Sequence, residues 1–572
     1  MIHYYISFSN PLTFFLQIRM VIPLQNTTEI ALQLPAWRPG RYELQNFAQK
    51  IQQFKVMDNL QQPVNYRKIT KDCWRIYPVN LTEIEVQYNF YAHQLDAGGS
   101  WLDETQLYVN PINCLMSVIA REEQPCQLHL SIPNDWQVAC GLKQVDKTTL
   151  EAANYDELVD CPLIASPSLQ HQSYQVHDIP FHIWFQGNCR PGWNRILPDF
   201  QRFTEEQLAL FQDFPVTEYH FLNEILPYRF YHGVEHGNST TITLGPGELL
   251  MSRDLYKELL GVSCHELFHT WNIKQIRPAE MMPYDYSREN YFRTGYVAEG
   301  VTTYYGDYLL ARCCIFSAEQ YFAELNEVLR KHFDDFGQYH LSVADSSFEL
   351  WLDGYKPGIP DRKVSIYHKG CIAALLLDLE IRRITSNQKS LDDVMRRLWQ
   401  EFGKPKMGYT EQDYQRLTEE VAGQSLQNYF DEIIYGTVPV HEPLNEALNY
   451  VGCFLWKESN AGVNEAQFGF KTTLNNSSLL VSYIEPNSPA AQVLSTEDEL
   501  IAVNGRRIEG NLAVLLQNEP AYEVTLFRNK FLRTVTLTAD GQQHLAKYTI
   551  QKLPIATPEQ QHNFKLWLKQ EF

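Results

Sequence analysis

No apolar run in these 572 residues reaches the ~18 to 20 needed for a membrane helix, so no membrane partner is expected. Positive charge is also scarce. Lys and Arg number 48 against 68 Asp and Glu, a net charge of −20. That balance argues against nucleic acid and anionic lipid, which are held by basic surfaces. There is no CxxC pair. The eleven Cys are scattered from Cys73 to Cys453 and adjacent only at Cys313 and Cys314. A secreted disulfide framework shows an even count and regular spacing, so reduced thiols in a cytoplasmic compartment are expected. The opening "MIHYYISFSNPLTFFLQIRM" has no Lys or Arg ahead of its apolar stretch and no small-residue cleavage pattern. It reads as a strand rather than a signal peptide. No internal repeat or low-complexity segment interrupts the chain.

What is present points to a multidomain α+β protein. The length exceeds what one core supports. Hydrophobic and charged contents of 44% and 20% are those of a globular protein, and 33 Tyr suggest strand-rich cores. Residues 1–165 carry short β-type runs such as "EIALQLPAW" and "IEVQYNFYAH" and predict an all-β, sandwich-like domain. Within it "LPAWRPGRY" (34–42) reads as a loop whose Trp37 and Tyr42 serve as core anchors or rim contacts. Over 166–450 strands give way to helical spacing, in "SRDLYKELLGVSCHELFHTWN", "GCIAALLLDLEIRRIT", "SLDDVMRRLWQEFG" and "YTEQDYQRLTEEVAG". Ser252 or Asp254 can cap the first, and Thr410 with Asp413 opens the last as a capping box. Strands return over 455–548, with a hairpin near Arg528 and Asn529, and 549–572 reads as a tail.

The chemistry is concentrated in "SCHELFHTWN". His265 and His269 stand one helical turn apart on one face, a spacing that lets both imidazoles reach one tetrahedral zinc. Glu266 lies about 100° round the helix from His265, where it can take a proton from a water at the metal without binding the metal itself. The bland alternative is a pair of core histidines, so a third ligand is needed. Glu280 follows a loop-like "IRPA", and Glu289 has charged neighbours that suggest a surface. Glu299, in "GYVAEGVTTYYGDYLL", is an isolated carboxylate among aromatic and small residues. Burying it unpaired is costly, and a metal is its natural partner.

Taken together, "HELFHTWNIKQIRP" and "GYVAEGVTTYY" resemble the glycyl aminopeptidase family of zinc metallopeptidases, family sixty-one, a branch of the gluzincins. "YVAEGVTTY" is also similar to the third-ligand helix "WxxEGFAxY" of the larger aminopeptidase N family. There the spacing from the second His is shorter than the 29 residues between His269 and Glu299, which leaves Glu289 as the competing ligand. "HGVEH" (232–236) resembles the family's "GGLEH". That likeness places Gly233, Glu235 and His236 at the substrate, with Glu235 holding its free α-amine. A carboxylate there suits an ammonium and rejects an internal peptide segment. "IYHKG" (366–370) resembles "YxKG", which gives Tyr367 the role of oxyanion donor. "LPAWRPGRY" resembles the family's β-domain.

The resemblance implies a thermolysin-like catalytic domain with a helical part, and one zinc per chain. It also implies peptide substrates with a free N-terminus and a small first residue, Gly or Ala. In the last module "FGF" (Phe468, Gly469, Phe470), "SPAAQVL" and "DELIAVNGRRI" look like a PDZ domain. There the "FGF" turn would offer backbone N–H groups to a peptide C-terminus, unless the module docks on its own chain. Two other readings stay open: another gluzincin hydrolase, either an endopeptidase or an epoxide hydrolase, and an inactive peptide-binding scaffold.

Overall fold

The computed structural model describes residues 1–24, 27–476, 478–510, 512–517 and 519–572. In the N-terminal region period-two sequences become strands with one buried face. Ile2–Ser7 alternates Ile2, Tyr4 and Ile6 inward, as a half-buried pleated strand requires. It lies parallel to Cys126–Leu130 and antiparallel to Phe15–Pro23, with Tyr4 opposite Leu128 and Met20. These strands belong to a seven-stranded sheet, and four- and five-stranded sheets complete the region around one apolar core.

A second, larger core holds the middle of the chain. Its sheet runs in the order Gln170–Val176, Ile179–Gln186, Tyr219–Ile225, Ser239–Gly245, Phe230–Glu235. The last is an edge strand, antiparallel to its neighbour with Glu235 opposite Thr240. The helix Arg253–Phe268 packs on these two strands. Ser252 caps it by accepting from the Leu255 N–H. The other expected helices form as His368–Ile384, Leu391–Leu398 and Glu411–Ala422, the last with the Thr410–Asp413 capping box. No helix among the described residues is long and apolar enough to cross a membrane, and all eleven cysteines are free thiols.

The C-terminal sheet has its own core, and its hairpin turns at Asn529 and Lys530, both with positive φ. The expected carboxylate loop differs from expectation. Phe468 and Phe470 are buried in this core, and the Gly469 N–H already donates to the Glu465 carbonyl at 3.1 Å. That donor is spent inside the module. Residues 549–572 are more than a tail. Lys547–Lys552 pairs with Cys453–Glu458, so the two ends of the module form one ribbon. Helix Pro558–Leu568 then buries Phe564 and Trp567 in the large core, where Tyr308 donates to the Trp567 carbonyl at 2.9 Å. Three apolar positions on one short helix gave little sign of this docking, because they match equally well a solvated amphipathic end.

Candidate metal centre

His265 and His269 bring their Nε2 atoms to 3.0 Å of each other, and His269 Nε2 lies 3.5 Å from Glu299 Oε2. One ligand atom from each of the three lies within 4.8 Å of the others. Glu299 sits in a π-helical turn, Tyr296–Val301, wholly buried. Of its two competitors, Glu280 is exposed and Glu289 half-buried, and neither is in this cluster. His269 Nδ1–H donates to the Asn272 carbonyl at 2.8 Å, which leaves Nε2 free to accept a metal. Asn272 in turn donates to the carbonyls of Val297 and Ala298, tying the histidine turn to the Glu299 turn.

Electrostatics test whether these residues suit a cation. Burial and the neighbouring His269 push His265 far below its ordinary value. Burial also opposes charge on His269, yet Glu299, Glu235 and Glu266 outweigh it and raise that ring to about 10. Three carboxylates around one imidazole demand positive charge. Two imidazole nitrogens and a carboxylate converging on one point are a donor set that fits zinc.

Glu266 lies beside this point, 5% exposed, with Oε2 lacking any hydrogen-bond partner. Burial raises its carboxyl well above the usual range, against the pull of His269 and with help from Glu235 and Glu299. Its closeness to the edge strand depends on Gly233, where an added Cβ would lie 2.2 Å from Glu266 Oε1. Glu235, also buried, has an unpartnered Oε1, and it clusters with Glu266 and His269 within 4.8 Å. Tyr367 faces the same cleft of about 730 Å³, with its hydroxyl 3.3 Å from that of Tyr355. Gly300 and Gly370 let the two segments meet, since a Cβ on Gly300 would fall 2.4 Å from the Gly370 Cα.

His236 does not line this cleft with Glu235 and Gly233. Its Nδ1 is 3.3 Å from Asp160 Oδ1, and Lys274 donates to the same carboxylate at 2.8 Å. Against burial, Lys274 and His236 hold Asp160 down at about 2 rather than 3.8. The folded value is depressed, so this contribution is present above pH 3.8 and is lost as pH falls through about 2. It amounts to about 2 kcal/mol at neutral pH. In urea titrations Asp160→Asn/Lys274→Met, which strands no charge, is expected to show an acid limb flatter by that amount between about pH 5 and 2. An unchanged limb removes the pair from the ledger.

The loop 34–42 was legible only as core or rim, and the structure gives it more. Tyr42 donates to Glu299 Oε1 at 3.1 Å, and Gly40, at φ +78°, abuts Glu235, where a Cβ would lie 2.4 Å from Oε2. The hydroxyl orients the Glu299 carboxylate from the N-terminal sheet region. Tyr42→Phe is expected to weaken zinc retention about 10- to 100-fold in competition with a chelator. Retention equal to wild type would show that the bond is idle.

Comparisons with known proteins find similar chains. Residues 3–167 match the Peptidase M61 N-terminal domain, and 258–373 match the M61 glycyl aminopeptidase domain. No curated protein matches the chain. Among solved structures, an aminopeptidase N family protein from Idiomarina loihiensis is 27% identical, with a TM-score of 0.90 over 99% of this chain and 100% of that one. An M1 zinc metallopeptidase from Deinococcus radiodurans is 14% identical, with a TM-score of 0.47 over 77% of this chain and 94% of that one.

Proposed function

Because this chain belongs to the M61 glycyl aminopeptidase family of peptidases, we propose that it is a zinc aminopeptidase that removes single small residues from free peptide N-termini. The observation that carries the reading is one cleft holding both Glu266, beside the two histidines and Glu299, and an unpartnered Glu235. His265, His269 and Glu299 would hold the zinc, which supplies Lewis acidity to water and to the scissile carbonyl.

The chain's own groups do the rest. Glu235 accepts hydrogen bonds from the substrate ammonium and so fixes the first peptide bond at the reacting position. Glu266 takes a proton from the attacking water and passes it to the leaving amine. Tyr367 donates its O–H to the oxyanion as the carbonyl becomes tetrahedral. The raised value of the Tyr367 phenol, from burial and then from Glu299 and Tyr355, keeps that proton in place. Gly40 and Gly233 leave room for the carboxylates of Glu235 and Glu266, since a Cβ on either would meet them at 2.4 and 2.2 Å.

The C-terminal sheet is read as a PDZ-like module docked on its own chain. Tyr483 donates to Asp361 at 3.1 Å, and Lys471 pairs with Asp334 at 2.6 Å. The testing experiment is hydrolysis of Gly-, Ala- and Leu-p-nitroanilide, alongside N-acetylated peptides. Cleavage of free-amine substrates in the order Gly and Ala before Leu is expected. Preferential cleavage of the blocked peptides moves the reading to an endopeptidase. Zinc binding without cleavage of either moves it to another hydrolase or a scaffold.

A further inference from the structure

A second cluster lies on the other face of the sheet that carries Glu235. Along Gln170–Val176, Ile179–Gln186 and Tyr219–Ile225, the face away from Phe181, Ile183 and Phe185 presents His171, His182 and His220 side by side. His182 and His220 are in register on parallel strands, with ring centroids 4.7 Å apart. Glu218, just before the third strand, lies 3.8 Å from the Nε2 of each. One atom from each of these three residues lies within 4.8 Å of the others. The proposed reaction uses none of them.

We propose that His182, His220 and Glu218 form a second divalent transition-metal site, able to take zinc and separate from the catalytic one. Two observations point to a ligand. His220 is only 6% exposed, and its Nε2, 3.8 Å from Glu218 Oε1, has no hydrogen-bond partner. A buried polar nitrogen left so is costly unless something fills the gap. His182 has its other nitrogen, Nδ1, 3.0 Å from His171 Nε2. With a metal at Nε2, the Nδ1–H donates to His171, the outer hydrogen bond that fixes the tautomer of a ligating histidine. Two imidazoles and a carboxylate suit zinc and its neighbours better than calcium or magnesium, which take oxygen ligands.

One contact must change on binding. The Trp184 indole N–H donates to His220 Nδ1 at 3.2 Å, which keeps the proton of the neutral ring on Nε2. Metal at Nε2 requires that proton on Nδ1, so Trp184 has to release its bond. The same indole stacks on His171 with centroids 3.8 Å apart. Its environment therefore reports occupancy.

The test uses the full chain, stripped by a chelator and titrated with zinc chloride in equilibrium dialysis. Two equivalents per chain are expected in the wild type and one in His182→Gln/Glu218→Gln. Both of those side chains are partly exposed, so folding should be kept, as checked by circular dichroism and unchanged hydrolysis. A change in tryptophan fluorescence should follow one equivalent and vanish in Trp184→Phe. His265→Ala should lose the other equivalent. A single equivalent in the wild type, lost in His265→Ala, overturns the second site and leaves the catalytic one standing. A second equivalent that survives His182→Gln/Glu218→Gln also overturns it. Two equivalents that both survive His265→Ala would count against the catalytic site instead.

Discussion

Glu266→Gln should keep its zinc and lose about a thousandfold in kcat, within the ~10²- to 10⁴-fold range for removing a general base. The amide is nearly isosteric with the carboxylate, so the close contact at Gly233 is preserved. What disappears is the proton acceptor. In the native site Glu266 Oε2 is buried without a partner in the chain, as befits a group whose partner is a water. His265, His269 and Glu299 remain, so zinc per chain should equal that of the wild type. Retained zinc with a large fall in kcat and little change in KM assigns the proton transfer to this residue. Loss of zinc together with activity would instead make Glu266 part of the metal's support. Activity within about tenfold of wild type would remove it as the base.

Glu235→Ala carries the second large effect, and it is one of discrimination. Truncating one member of a buried charge pair between protein and ligand costs about 2–5 kcal/mol. That corresponds to a fall of roughly 30- to 5,000-fold in kcat/KM on free-amine substrates. N-acetylated substrates have no ammonium to lose, so their slow cleavage should stay as it was. The ratio between the two classes should collapse, and zinc content should not change. If free-amine and blocked substrates fall together, Glu235 acts through Glu266 or the metal, whose site it adjoins within 4.8 Å. If neither falls, the α-amine is held elsewhere, and Arg41 and Tyr355 in the same cleft become the residues to vary.

The parts of the site that were legible early are those within one turn of helix or one strand. His265, Glu266 and His269 share a single helix, so their spacing already states which side chains face together. Glu299 was separable from Glu280 and Glu289 by its apolar neighbours, because a buried carboxylate needs a reason. Tyr42 carried no such mark. Its partner Glu299 is 257 residues away, and an aromatic in a proline-rich loop looks like packing. Asn272 was invisible for a different reason. Its clamp joins two turns through backbone carbonyls, which every residue has.

The sequence by itself determined the local chemistry: which helix bears the paired histidines, which carboxylate stands next to them, and where strands yield to helices. Periodicity and burial cost act over a few residues, and a single chain displays them. Tertiary structure alone decided which distant loop closes the site and that His236 turns from the cleft to Asp160. It also decided that "FGF" spends its glycine N–H inside the module, and that the last helix completes the large core. These outcomes depend on long-range contacts and on where each backbone donor finds its acceptor, and neither leaves a periodic trace in the order of residues.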